Sequence, residues 1–264
     1  MELSTFFVKL SDSSETFNNS KIENIAFKKM PVFPSKSTAI SDLVLACSCV
    51  WSLYSIYGGM PSIGLKPRDG GMASNNLASV WFALTLAASL LGAFRFLKRQ
   101  FFDRLAPIHD LLSWLVLVIG LPCLASQFYM NAGLSVLGNL HLLLMLPPIL
   151  SWLGKDHLLG TFISRAETNK VTGYLALASM FSMTGCAVYS RNYYQLLACL
   201  LMFSSSRAFD ITEKRRLGLP PVDWLHYGLA ASNFLLVAGL CRTDLPGMDK
   251  LRHWTGNAMS SMFS

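Results

Sequence analysis

The sequence points to an all-α fold: a polytopic transmembrane bundle of seven helices, or six if one segment only re-enters. Charged side chains make up 14% of the 264 residues and hydrophobic ones 52%. A soluble domain of this size carries about 25% charged residues, and the mean hydropathy of +0.41 goes the same way. Long apolar runs then recur along the whole chain at the ~17 to 25 residues that cross a ~30 Å hydrocarbon core.

Seven such runs follow in order. Residues 39–57 leave the Lys- and Pro-punctuated stretch KKMPVFPSKS and form span one. Span two, 76–97, ends in Arg95 with Lys98 and Arg99 just beyond, cations that favour a helix C-terminus. Small residues four apart in it, Thr85, Ser89 and Ala93, predict close helix contact. Span three, 108–130, starts after Pro107 and contains Pro122; span four, 133–153, contains Pro147 and Pro148, so a kink or an early end is expected in both. Span five, 171–189, repeats the small-residue pattern at Ala178, Ser182 and Cys186. Span six, 193–209, is the shortest and the one that could re-enter. Span seven, 222–241, opens behind Pro220 and Pro221, a residue type suited to a helix start.

Domain organisation follows from these limits. Residues 1–38, with SDSSETFNNSKIEN and no signal-peptide apolar region, are expected to be a disordered polar arm. Residues 39–241 form the transmembrane domain and 242–264 a short tail. No lipidation motif is expected to supplement the helices as anchor. All six cysteines fall in or beside apolar segments and read as small packing residues, with no disulfide framework. The connection 58–75, rich in Gly and Pro, is expected to be flexible.

Seven spans place the arm and the connections after spans two, four and six on one side. That side holds 16 of the 22 Lys and Arg, among them Arg95, Lys98, Arg99, Arg104, Lys214, Arg215 and Arg216. The positive-inside rule therefore puts the N-terminus in the cytosol and the C-terminus in the lumen or outside the cell, and it leaves the Asn18 sequon unglycosylated. The net charge of +7 sits beside span ends without interleaved aromatics. It implies contact between the cytosolic basic loops and anionic lipid headgroups of the bilayer, not nucleic acid. Protein partners and organelle are not specified by the sequence.

At the level of those basic ends the apolar spans carry ionisable groups. Asp42 opens span one, Arg95 closes span two, His109 and Asp110 open span three, Asp210 follows span six, and Asp223 and His226 open span seven. Ionisable groups within membrane helices are costly and suggest function. Asp223, His226, Ala230 and Asn233 fall three, four and three apart, on one stripe expected to face the bundle interior. The plainer reading is that Asp42, Asp110 and Asp223 cap helix N-termini and interact with the dipole, each contributing about 0.3 to 1 kcal/mol. His141 lies in the middle of span four, about 12 Å from His226 in depth at 1.5 Å rise per residue. That is too far to share a zinc ion, so a structural hydrogen bond is expected of it.

Seven spans with a cytosolic N-terminus and His and Asp side chains near that face resemble, in layout, the membrane zinc hydrolases that include alkaline ceramidases and progestin/adipoQ receptors. Their motifs are not repeated. That group supplies two His four apart from its last helix, where this chain has His226 and Ala230, and a Ser with a His from an earlier helix, where LAASLLGAFRFL has Ser89 and Arg95 but no His. G-x-S-x-G, HExxH, P-loop and Rossmann signatures do not occur. Three functions fit. The first is a non-enzymatic membrane component or interaction protein, which needs no further assumption. The second is a metal-dependent hydrolase of a lipid ester or amide, with zinc held by His109, Asp110, Asp223 and His226 and the oxyanion stabilised by Arg95. In the third, a small-solute or proton transporter, the stripe from Asp223 to Asn233 would line the path, with His226 as the titrating group.

Overall fold

A computed structural model of the chain describes residues 36–58, 76–157, 165–211 and 220–241. The arm with Asn18, the 58–75 connection beyond Gly58, Lys214 to Arg216 and the C-terminal tail lie outside the described residues. Among the described residues the backbone is helical, with short turns and no strand. The helices are α1 (Lys36–Gly58), α2 (Asn76–Leu97), α3 (Arg99–Leu115), α4 (Leu121–Asn131), α5 (Ser135–Leu143), α6 (Leu146–His157), α7 (Arg165–Tyr189), α8 (Tyr193–Ile211) and α9 (Pro221–Cys241).

Prolines act where the sequence places them, with one exception. A π-helical turn, Val116–Gly120, joins α3 to α4 immediately ahead of Pro122, so the ring that cannot donate sits where the hydrogen-bond ladder is already displaced. Pro147 and Pro148 occupy the first turn of α6, just past the break at Leu144 and Met145, where no intrahelical N–H is required. Pro107 is the exception. It lies inside α3, whose first residue is Arg99, and the expected start at residue 108 is corrected accordingly. Two tight turns reverse the chain. Gly133 (φ 80°) follows α4 and Arg191 (φ 50°) follows α7, with bonds from Leu134 N–H to Tyr129 O and from Asn192 N–H to Ala187 O that close the helix ends in Schellman fashion.

Contacts between residues fix the direction of each rod. Ser37 meets Asp223 and Ser48 meets Asn233, so α1 and α9 run parallel. Asp42 meets Gly92 while Tyr57 bonds Ser79, so α2 runs back along α1. Trp114 bonds Thr172 and Tyr129 bonds Ser182, making α3–α4 parallel to α7. Gly228 lies on Ser205 and Gly239 on Gln195, so α8 and α9 are antiparallel. Trp152 of α6 packs on Trp114, and Gly138 of α5 on Ser126, so the broken rod α5–α6 descends beside α3–α4. Six rods close a ring, α1, α2, α3–α4, α7, α8 and α9, and α5–α6 stands outside it against α4 and α7.

The ring is filled by Phe82, Leu121, Leu124, Phe128, Met183 and Leu236, with Trp81 at their side. About midway along α1 and α9 lies a smaller cluster of Leu45, Cys49 and Ala230. Outward faces are apolar too: Ile40, Tyr54, Phe94, Val136, Phe181 and Tyr189 are all exposed, as befits a protein with lipid for solvent. Among the described residues four helices are long and apolar enough to cross a bilayer, Lys36–Tyr57, Asn76–Leu97, Gln100–Asn131 and Val171–Tyr189. The small-residue stripe of span two is buried at Thr85, Ser89 and Ala93. In span five the expected stripe holds in part: Cys186 is buried in the core and Ser182 meets Tyr129 and His141, while Ala178 is exposed and the packed face runs also through Thr172, Ala176, Ser179 and Met183.

Candidate functional site

Asp42, Arg95, His109, Asp110, Asp223 and His226 gather at the end of the bundle where α1, α3 and α9 begin and α2 finishes. They arrive there for reasons other than capping. With α1 starting at Lys36, Asp42 is six residues, about 9 Å, inside the helix, and it is 1% exposed. Asp110 is eleven residues into α3. The cap reading is therefore corrected for both, since a carboxylate so far from the first turn has no free N–H groups of its own helix to accept from. Asp223 does occupy the first turn of α9. Its carboxylate nonetheless turns across to α1, where Ser37 Oγ donates to Oδ2 and Ser41 Oγ lies 3.2 Å from Oδ1.

The geometry divides the six residues into two groups. In the first, His226 Nδ1 is 3.3 Å from Asp42 Oδ1 and 3.0 Å from Ser41 Oγ. Both contacts use one ring nitrogen. Asp42 lies over Gly92 of α2, where a Cβ would stand 2.5 Å from Oδ2; only glycine leaves room for that carboxylate. In the second group, Arg95 Nη1 donates to His109 Nδ1 at 3.1 Å and to Asp110 Oδ1 at 3.3 Å. The guanidinium also lies 4.8 Å from the Phe102 ring centroid and 5.3 Å from that of Phe96, within cation–π range. Arginine only donates, so His109 accepts through Nδ1 and carries its hydrogen on Nε2. Arg95 and Asp223 both lie within electrostatic reach of Asp42, and His109 within that of His226, so the two groups adjoin.

The stripe on α9 faces inward, against α1. Asp223 meets Ser37 and Ser41, His226 meets Ser41 and Asp42, Ala230 packs with Leu45 and Cys49, and Asn233 Nδ2 donates to Ser48 Oγ at 3.0 Å and to Cys49 Sγ at 3.3 Å. Trp81 Nε1 completes the set by donating to Asn233 Oδ1 at 3.3 Å. The partners Ser37, Ser41, Ser48 and Gly92 do not stand out in the sequence. Their signal lies in span one, where Ser41, Ser48, Ser52 and Ser55 follow at seven, four and three residues on one face.

Metal binding finds little support in this arrangement. His109 Nδ1 and Asp110 are engaged with a guanidinium, and among the described residues no group of three or more His, Cys, Asp or Glu side chains is placed to hold a metal ion. The side chain of Asp210 lies outside the described residues. His141 is remote from this end and bonds Ser182. No family, curated protein or solved structure matches the chain.

Proposed function

We propose that the chain is a seven-span membrane component whose ionisable cluster, at the cytosolic face, is a lock that sets which helix faces meet. The observation that carries this reading is pairing across helices: Asp223 with two serines of α1, His226 with Ser41 and Asp42, Arg95 with His109 and Asp110, which leaves Asp42 Oδ2 and Arg95 Nε as the cluster's buried atoms without a partner among the described residues. Such a cluster contributes little net stability over a well-packed apolar replacement, yet breaking one partner leaves a buried polar group orphaned at high cost. Specifying partners is what it does best. The alternating directions of seven rods support seven crossings, and the distribution of the 22 Lys and Arg supports a cytosolic N-terminus, a lumenal or extracellular C-terminus and contact of the basic loops with anionic lipid.

The hydrolase reading loses two of its four ligands to Arg95. The transport reading needs a polar path, and directly below His226 the apolar cluster of Leu45, Cys49 and Ala230 closes the stripe. A direct test is metal analysis of the purified full chain with thermal unfolding of His226→Ala. The expected result is no stoichiometric transition metal and a destabilised variant. A bound metal lost in His226→Ala, with altered membrane lipids, would overturn the lock.

A further inference from the structure

A second polar cluster lies toward the opposite end of the bundle, between α4, α5 and α7. Ser182 Oγ is 2.8 Å from His141 Nε2 and 2.6 Å from Tyr129 OH. The imidazole lies nearly parallel on the Tyr129 ring, with centroids 5.1 Å apart and 19° between planes. Serines in helices ordinarily return their hydrogen to a carbonyl one turn back. Here Ser48, Ser52, Ser55, Ser204, Ser205, Ser206 and Ser232 all do so. Ser182 has no such bond among the described residues; its Oγ lies between His141 Nε2 and the Tyr129 hydroxyl, which also donates to the Ser182 carbonyl at 3.2 Å.

His141 adds a second, independent observation. It is 9% exposed, and its Nδ1 is enclosed without a partner among the described residues, so there the ring is held by its Nε2 bond to Ser182 and by the stack on Tyr129. The idle nitrogen costs about 1 to 3 kcal/mol as an unsatisfied buried group. The same imidazole, with Nε2 facing a hydroxyl, is a base positioned for a nucleophile.

We propose that Ser182 and His141 form a nucleophile and general-base pair that takes the acyl group of a lipid ester. The surroundings select that substrate class. Ser182 and Tyr129 are partly exposed, and the surface beside them is apolar, with Phe181 63% exposed and Val136 and Leu140 exposed on α5. Ser182 lies seven residues before the end of α7, about 10 Å along the axis, so an acyl chain has to bend its ester inward from the interface to reach it. In the first step Ser182 Oγ bonds to the ester carbonyl carbon while its proton passes to His141 Nε2. The ester C–O bond then breaks, and the alcohol leaves with that proton. Water entering from the near end of the bundle attacks the acyl-serine, gives one proton to Nε2, and the fatty acid departs as Ser182 is reprotonated. Ester and water are consumed; alcohol and acid are formed. This goes beyond the lock at the other end and does not depend on it.

The test uses the full chain in lipid nanodiscs and a long-chain alkyl fluorophosphonate, with the adduct located by peptide mass spectrometry. One adduct, on Ser182, is expected. Its formation should slow about 10²-fold or more in His141→Gln, the usual range for a positioned base. Tyr129 is a positioning residue, so Tyr129→Ala should slow labelling at least tenfold, and Tyr129→Phe, which keeps the stack, should restore it. The wild-type adduct site needs no variant to fold. An unmodified wild-type chain that unfolds cooperatively, an adduct elsewhere, or a rate unchanged in His141→Gln would each overturn the proposal, and none of them bears on the lock.

Discussion

Gly92 and Asp42 show how much of the cluster depends on one absent methyl group. Gly92→Ala puts a Cβ 2.5 Å from Asp42 Oδ2 and 2.9 Å from its carboxyl carbon, so the buried carboxylate must shift and disturb its contact with His226. The variant should lose about 1 to 3 kcal/mol, the usual cost of overpacking, measured as a lower midpoint of unfolding in detergent. Gly185, also helical but with nothing within 4 Å of the point where a methyl group would stand, supplies the control. Gly185→Ala should be neutral or stabilise by about 0.5 to 1 kcal/mol through its helix preference. Equal effects at both positions would remove the steric argument. Single ionisable residues are legible in the sequence because an Asp or His in an apolar run stands out; Asp223 and His226 do so. Gly92 is not legible, since a close approach between two helices is not encoded in the spacing of either. Asp42 reads as a cap because the apolar run begins at Ala39, whereas the helix already begins at Lys36.

Between elements, the closest polar correspondence is that of α1 with α9. Both helices start at the same level, and their inward faces present complementary groups at matching heights, from Ser37 with Asp223 down to Ser48 with Asn233. If the correspondence holds the pair together, Asp42→Ala and His226→Ala should not be additive. A double-mutant cycle should give a coupling of roughly 1 to 3 kcal/mol, the range for residues in one hydrogen-bond network. Additivity within about 0.5 kcal/mol would mean the two side chains act separately. The α9 half of this interface is legible, because Asp223, His226, Ala230 and Asn233 share a helical face and polar groups seek the interior. The α1 half is not, because serines hydrogen-bonded to their own helix and serines reaching a neighbour look alike in sequence. The same ambiguity hides Ser182, which reads as a small packing residue, and leaves His141 without a partner until α5 is placed against α7.

For the molecule as a whole, apolar runs and prolines carry most of the architecture. Each expected span lies on one rod, and the boundaries move chiefly where a polar or Pro-containing stretch continues a helix, at Lys36 and through Pro107. The closing of six rods into a ring, with α5–α6 outside it, is beyond the reach of sequence patterns, since it depends on which faces meet. Placing the ionisable cluster at the cytosolic face requires that α1 and α9 both begin there, and hence that the chain cross the bilayer an odd number of times. Protease protection of tags at the two ends, in sealed microsomes with intact full-length protein, tests this most directly. The account predicts that an N-terminal tag is digested from the cytosolic side while a C-terminal tag is protected until detergent opens the vesicle. Digestion of both tags in sealed vesicles, or protection of both, would contradict it.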